Sequence, residues 1–132
     1  MANTFALRIV TPSHDVYNGE VEKILLKNAD GQFEILAHHE RMITSTVPYV
    51  STFVDSDGNK KEIFISTSVV KVSPDEVVIC SDAAEFAEDI DFKRAEAAKE
   101  RAEEKMKAQD KYDRDLVKLS YLRAVERLKL KK

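Results

Sequence analysis

The strongest constraint in this sequence is a change in the spacing of apolar residues between positions 81 and 95. Before this stretch, short segments rich in Val, Ile, Phe and Thr alternate with turn residues, as in β-strands. After it, Ala, Glu, Lys and Arg dominate, and neither Gly nor Pro occurs through residue 132. The change predicts a β-rich domain over residues 1–84 and a junction with a helical domain over residues 85–132.

The first domain contains many short strand candidates with no helical pattern between them. Asn18-Gly19 is a strong hairpin signal, and Asp55-Ser56-Asp57-Gly58-Asn59 and Ser73-Pro74-Asp75 favour turns. Short strands connected in this way are typical of a β-sandwich or flattened barrel rather than a parallel sheet. The predicted strands cover residues 5–10, 16–17, 21–27, 33–36, 42–47, 49–54, 62–66, 69–72 and 77–80.

The second domain is predicted to be an antiparallel hairpin of two helices, over about residues 91–108 and 113–129. Asp89 or Asp91 can cap the first helix by accepting a hydrogen bond from a free backbone N–H. The first helix has one narrow apolar stripe, made of Ala95, Ala98, Ala102 and Met106. Because such a stripe is almost all methyl groups, it holds the helix only weakly.

The second helix has apolar residues on two sides. One stripe consists of Val117, Tyr121, Ala124 and Leu128, and the roughly opposite side carries Leu116, Leu119 and Leu130. A two-helix hairpin cannot bury both sides by itself. The second helix is therefore expected either to pack against another protein or to exchange partners between two states.

Charge and composition exclude several classes of protein. Residues 1–84 carry a net charge of −5 and residues 85–132 a net charge of +2. Residues 116–132 carry six basic residues against the single Glu126, so an acidic surface or a phosphate is the expected partner of the last helix. Nucleic acid is not expected, because no surface combines basic and aromatic residues. No apolar run is long enough to span a membrane. The single Cys80 indicates a reducing compartment, and its apolar strand predicts burial.

No segment has the pattern of an active site or a metal site. His38-His39-Glu40 lacks a second His at the spacing of a zinc protease helix, so a structural or surface role is favoured. The segment 55–59 resembles a calcium loop but lacks the later Glu. The chain is therefore predicted not to be an enzyme, and no cofactor is required.

Four arginines have a spacing that brings them together. Arg94 and Arg101 share one face of the first helix, and Arg123 and Arg127 share one face of the second. In an antiparallel hairpin they would meet beside a helix N-terminus and form a polyphosphate site. The alternative is that they are solvated or paired with glutamates of the same helices, and spacing alone favours that alternative.

Several features of the chain occur together in one known family. They are the strand order, Gly31-Gln32-Phe33-Glu34-Ile35-Leu36-Ala37-His38-His39, Ser73-Pro74-Asp75-Glu76-Val77-Val78-Ile79, and Ala83-Ala84-Glu85 followed by Asp89-Ile90-Asp91. With the Ala-, Glu- and Arg-rich hairpin, they make nearly the whole chain resemble the epsilon subunit of the bacterial rotary F-type ATP synthase. The chain departs from the family pattern in places, with Glu34 where a Gly is common and Arg41 where a Pro often follows the His.

The resemblance implies a central-stalk subunit that binds the gamma subunit and the c subunits of the rotor ring. Its hairpin lies against the sandwich or extends into the alpha and beta catalytic subunits and blocks ATP hydrolysis. The implied location is peripheral, at the cytoplasmic face of the bacterial plasma membrane.

The resemblance also implies ATP as a regulatory ligand of the folded hairpin. Ile90, Asp91, Arg94 and Ala95 match the Ile-Asp-x-x-Arg-Ala motif of the family members that bind ATP. The further nucleotide contacts that the resemblance implies are Glu85, Arg101, Arg123 and Arg127.

Two other functions are compatible with the sequence. A free-standing nucleotide-sensing protein would use the same arginine site without belonging to a synthase. A ligand-binding or enzymatic sandwich would need a polar cleft within residues 1–84, for which the sequence offers only the His38-His39 pair. Copurification with a gamma-type partner would separate the synthase function from both.

Overall fold

The computed structural model describes residues 3–108 and 113–132, which form a nine-stranded β-sandwich followed by two helices. The predicted fold class is confirmed. The strands are β1 (Phe5–Val10), β2 (Asp15–Asn28), β3 (Gly31–Leu36), β4 (Met42–Thr46), β5 (Tyr49–Asp55), β6 (Lys60–Ile65), β7 (Ser68–Val72), β8 (Glu76–Ser81) and β9 (Ala84–Glu85). The helices are α1 (Phe92–Lys107) and α2 (Arg114–Leu128).

One continuous hydrogen-bonded path connects the strands in the order β4-β7-β8-β1-β2-β5-β6-β9, and β3 adds to β2. The β1–β8 pair is parallel, and the other pairs are antiparallel. The long β2 pairs with β1 along its first half and with β3 and β5 along its second. It therefore belongs to both halves of the sandwich. The short β9 extends the sheet to Glu85, next to the start of the helical domain.

The core of the sandwich follows from residue alternation along the strands. In β1, for example, Phe5, Leu7 and Ile9 are buried and their neighbours are half-buried. Each such side chain contributes roughly 1.5–3 kcal/mol by leaving water. The same alternation makes the predicted burial of Cys80 wrong. Ile79 takes the inward position, so Cys80 faces outward and is exposed.

The hairpin predicted at Asn18-Gly19 is wrong, because β2 runs through both residues without a turn. Gly19 pairs with Leu7 of β1, and the connection between the two strands lies at residues 11–14, where the Thr11 N–H donates to the His14 carbonyl. The Tyr17 ring lies over Gly19, and a Cβ there would be 2.9 Å from the Tyr17 hydroxyl oxygen. The role of Gly19 is therefore to leave room for this ring. In a turn, by contrast, a glycine is needed for its backbone conformation.

The turn predicted at residues 55–59 is confirmed and joins β5 to β6. One carboxylate oxygen of Asp55 accepts from the backbone N–H groups of Asp57 and Asn59, both at 2.9 Å. Gly58 has φ +83°, which an L-residue adopts only with strain. These hydrogen bonds lower the pKa of Asp55, chiefly through the Asn59 N–H.

Both helices begin where the sequence predicts, within two residues. Asp91 caps α1 by accepting from the Arg94 N–H at 3.0 Å, and Asp113 caps α2 in the same way. The helices pack through small buried residues, which are Ala95 and Ala102 on α1 and Val117 and Ala124 on α2. Met106, predicted to extend this stripe, is exposed. The interface is thus short and made mostly of methyl groups.

The second apolar side of the hairpin packs partly on the sandwich. Leu130 lies just beyond α2 and is 5% exposed, in a cluster with Phe64 and Ile90. Its predicted grouping with Leu116 is therefore wrong, since Leu116 remains 64% exposed. The hairpin is folded against the sandwich in this structure. No helix in the described part of the chain is long and apolar enough to cross a membrane.

Candidate functional site

A cleft of about 440 Å³ lies where the beginning of α1 and the second half of α2 meet β9. Its volume falls within the roughly 300–1,000 Å³ typical of small-molecule sites. The cleft is lined by Glu85, Asp89, Asp91, Arg94, Ala95, Ala98, Arg101, Ser120, Arg123, Ala124 and Arg127.

The structure brings together the residues that the sequence singled out for this site. Seven of the eight line the cleft, namely Glu85, Asp91, Arg94, Ala95, Arg101, Arg123 and Arg127. The eighth, Ile90, is buried beside the cleft against Phe64 and Leu130. Ile90 therefore supports the wall of the cleft from the inside.

Arg127 connects α2 to the edge of the sandwich. Its Nε donates to Glu85 Oε1 at 2.7 Å, and both side chains are partly buried. The guanidinium carbon also lies 4.5 Å from the centre of the Phe64 ring, a cation–π contact. These contacts hold the Arg127 side chain, which lines the cleft, against the edge of the sandwich.

Arg123 is held by two residues that the sequence analysis did not identify. Its Nε donates to Ser66 Oγ and its terminal nitrogen to Asp82 Oδ2, both at 3.0 Å. Ser66 and Asp82 lie at the ends of neighbouring strand connections, 57 and 41 positions from Arg123. No local spacing rule joins residues so far apart, so only the tertiary structure reveals them.

Arg94 and Arg101 complete the basic lining from α1. Both are exposed, and neither forms an ion pair within residues 3–108 and 113–132. Arg94 stands in the first turn of α1, where the helix dipole adds further positive potential. An anion in the cleft would relieve this concentration of positive charge.

The cleft has the chemistry of a binding site for a multiply charged anion. Four guanidinium groups can donate to phosphate oxygens in forked geometry. The methyl groups of Ala95, Ala98 and Ala124 provide an apolar floor between the helices. Arg123 and Arg127 already have carboxylate partners, so an incoming anion must share or replace Asp82 and Glu85.

The histidine pair predicted to be structural or exposed lies outside this cleft. The His39 ring meets the Phe5 ring edge-on, with centroids 5.2 Å apart. His38 is exposed and has φ +64°. Within the described ranges, no group of three or more His, Cys, Asp or Glu residues is arranged to hold a metal ion.

Comparison with known families accounts for both parts of the chain. Residues 4–87 match the family model described as "ATP synthase, Delta/Epsilon chain, beta-sandwich domain", and residues 88–132 match "ATP synthase, Delta/Epsilon chain, long alpha-helix domain". The two matches together cover the sandwich and the hairpin, and the chain belongs to the ATP synthase delta/epsilon chain family.

Curated relatives narrow this class further. A protein named ATP synthase epsilon chain from Clostridium botulinum (strain Eklund 17B / Type B) is 46% identical over 132 residues, covering 100% of this chain and 98% of the relative. The protein of the same name from Clostridium novyi (strain NT) is 44% identical over 130 residues, covering 98% of this chain and 99% of the relative. The resemblance to epsilon subunits is thereby confirmed.

Solved structures share the fold. A chain in the cryo-EM structure of the Euglena gracilis mitochondrial ATP synthase, OSCP/F1/c-ring in rotational state 1, superposes with a TM-score of 0.70 at 20% identity, covering 97% of this chain and 77% of that chain. A chain in the Tetrahymena thermophila mitochondrial ATP synthase central stalk/c-ring structure gives a TM-score of 0.54 at 11% identity, covering 64% and 68%. At such identities the likeness concerns the fold alone.

Proposed function

We propose that this chain is a non-catalytic subunit of the central stalk of an F-type ATP synthase, and that its hairpin regulates ATP hydrolysis. Membership of the family and 46% identity over the full chain to a protein named ATP synthase epsilon chain support the assignment to the synthase. The basic cleft between hairpin and sandwich supports the regulatory part. The complex would hold the chain at the cytoplasmic face of the bacterial plasma membrane.

The outer face of the sandwich supports a role in assembly. Ile43 on β4 is 72% exposed, and Val69 on the adjacent β7 is 54% exposed. The exposed Cys80 lies on β8, opposite Val69. Leu36 at the end of β3 and Met42 at the start of β4 are also exposed, although alternation places Met42 on the opposite face of β4 from Ile43. Exposed apolar residues on adjacent strands favour a protein interface, and the proposed occupants are the gamma subunit and the c subunits of the rotor ring.

Charged substitutions test this interface. Ile43→Asp is expected to reduce copurification with the gamma subunit at least tenfold, because it replaces the most exposed apolar side chain of this face with a negative charge. Lys60→Asp, at the exposed first residue of β6, is the control and should copurify normally. Normal copurification of both variants would exclude this face as the gamma contact.

The observation that carries the regulatory proposal is the convergence of four arginines from both helices on one cleft beside β9. ATP would place its phosphates among Arg94, Arg101, Arg123 and Arg127, while Glu85, Ile90, Asp91 and Ala95 would form the base contact or the wall. Because the cleft needs both the hairpin and the sandwich, ATP would bind the folded state and shift the population towards it.

Low ATP would then release the hairpin towards the alpha and beta catalytic subunits, where it would block hydrolysis. The basic residues of α2 and the terminal lysines support this step, because they would face acidic residues of the catalytic head. Deleting residues 91–132 should leave assembly intact and raise ATP hydrolysis by the complex. Loss of assembly would instead show that the hairpin is needed for structure.

Calorimetric titration of the full chain with ATP, with and without magnesium, tests the site directly. Arg94→Ala should raise the Kd for ATP at least tenfold, because it removes one charge-assisted contact to phosphate, and Arg127→Ala should abolish measurable binding. Arg114→Ala is the matched control, since Arg114 is exposed and does not line the cleft. Unchanged affinity in Arg94→Ala would refute the assignment of the phosphate position.

A further inference from the structure

Glu126 is unusual among the acidic residues of the hairpin because it is only 4% exposed. Its Oε1 accepts a hydrogen bond from the backbone N–H of Val50 at 3.0 Å, across 76 positions of sequence. Its Oε2 lies 2.5 Å from the Lys129 ammonium. A buried carboxylate is costly unless its oxygens are satisfied, and here both oxygens have partners.

Val50 lies in the first part of β5, where this strand, within the described part of the chain, has a neighbouring strand on one side only. Val50 pairs with Phe64 of β6 on one side, but the pairing of β5 with β2 on the other side ends at Thr52. Among the strands of residues 3–108 and 113–132, none therefore accepts the Val50 N–H on that side, and the Glu126 carboxylate accepts it instead. An unpaired buried N–H costs free energy comparable to a lost hydrogen bond, so α2 and β5 each satisfy a group of the other.

The position of Glu126 on α2 connects this contact to the basic cleft. Arg123 lies three residues before Glu126, on a neighbouring part of the helix surface. Arg127 directly follows Glu126, and its contacts with Glu85 and Phe64 show that it also reaches the sandwich. Arg127 reaches Glu85 and Arg123 reaches Ser66 only when α2 sits at one depth and rotation. The Glu126–Val50 hydrogen bond is a further contact between α2 and the sandwich, and it requires the same placement of α2.

We propose that Glu126 is the positioning residue of the folded hairpin, which anchors α2 to the edge of β5 and thereby presents Arg123 and Arg127 to the cleft. The role of the anchor in ligand binding rests on the proposed function, whereas its role in docking the hairpin does not. Glu126 does not line the cleft. It therefore acts through the two arginines and not by touching the ligand.

The first arm of the test uses the full-length chain without nucleotide and measures amide hydrogen exchange by NMR. Glu126→Ala should accelerate exchange of the Val50 amide at least tenfold while the amides of β1 stay protected. Glu126→Gln keeps an acceptor oxygen, so it should stay within threefold of the unmodified chain. Glu103→Ala, an exposed glutamate of α1, is the control and should change nothing.

Each outcome of this arm decides the proposal. Unchanged Val50 exchange in Glu126→Ala would overturn it, and so would a loss of protection in Glu126→Gln as large as in Glu126→Ala. Should Glu126→Ala also lose protection in β1, the Gln variant alone decides: protection within threefold supports the anchor, and a tenfold loss overturns it.

The second arm titrates the same variants with ATP. Glu126→Ala should raise the Kd for ATP about tenfold, and Glu126→Gln should keep most of the affinity. Both effects are expected although residue 126 does not line the cleft. An unchanged Kd in Glu126→Ala would overturn the positioning of the arginines. Absence of ATP binding by the unmodified chain would refute the proposed nucleotide site, while the exchange measurements would still decide the anchor.

Discussion

Leu130 provides the most direct test of how firmly the hairpin is held. It is 5% exposed and packs on Phe64 and Ile90, so Leu130→Ala removes about three buried carbon groups. At about 0.8 kcal/mol per group, the change weakens docking by roughly 2.4 kcal/mol. Because each 1.4 kcal/mol corresponds to a factor of ten, the population of the undocked hairpin should rise about 50-fold.

The amide of Val50 reports this population, because it is hydrogen-bonded to α2 and not to a neighbouring strand on that side. Its exchange rate should therefore rise about 50-fold in Leu130→Ala, while the β1 amides remain unchanged. Leu116→Ala is the matched control, since it makes the same change at a side chain on the same hairpin that is 64% exposed. Equal exchange rates in the two variants would refute the view that the Leu130 cluster holds the hairpin.

Three further predictions concern turns and surface charges. The pKa of Asp55 is lower in the folded chain than its ordinary value, so its stabilising contribution is full above about pH 4 and is lost as pH falls through the lower folded value. Between pH 7 and pH 3, the denaturation midpoint of Asp55→Asn should therefore fall less than that of the unmodified chain. Gly58→Ala should cost about 1–2 kcal/mol in thermal unfolding, because φ is +83° although the space for a Cβ is open, and Gly58→Asn should cost less. The hydrogen bond and charge of Lys131 lower the pKa of Glu96, so Lys131→Ala should raise that pKa towards its ordinary value in an NMR titration; an unmoved titration curve would contradict the contact.

Most strands of the sandwich could be predicted because a strand with one buried face alternates apolar and polar residues. The turn at residues 55–59 was predictable for the same local reason, since Asp55 satisfies two backbone N–H groups within four positions. Asn18-Gly19 misled because a glycine within a strand and a glycine in a turn look alike in sequence. What distinguishes them is the Tyr17 ring over Gly19 and the pairing of β2 with β1.

The arginines of the candidate site could be predicted in part. Helical spacing placed them in two pairs, and an antiparallel hairpin brought the pairs to one cleft. The contacts that hold them could not be predicted, because Ser66, Asp82 and Phe64 belong to the sandwich and have no fixed sequence distance to α2. In the alternative in which the arginines pair with glutamates of the same helices, Glu126 is one of the glutamates near enough to do so, whereas the structure buries it on β5.

The sequence by itself determined most of the strands, both helices, where the β-rich part gives way to the hairpin, and which side chains carry positive charge. These properties depend on periodicity and on neighbours within a few positions, so short segments of the sequence are enough to specify them. The tertiary structure alone decided which partners those side chains meet. Hydrogen bonds such as Glu126–Val50 and Arg123–Ser66 join groups more than 50 positions apart. They form once the core of the sandwich is buried and α2 lies against the end of β5, and no local pattern in the sequence specifies them.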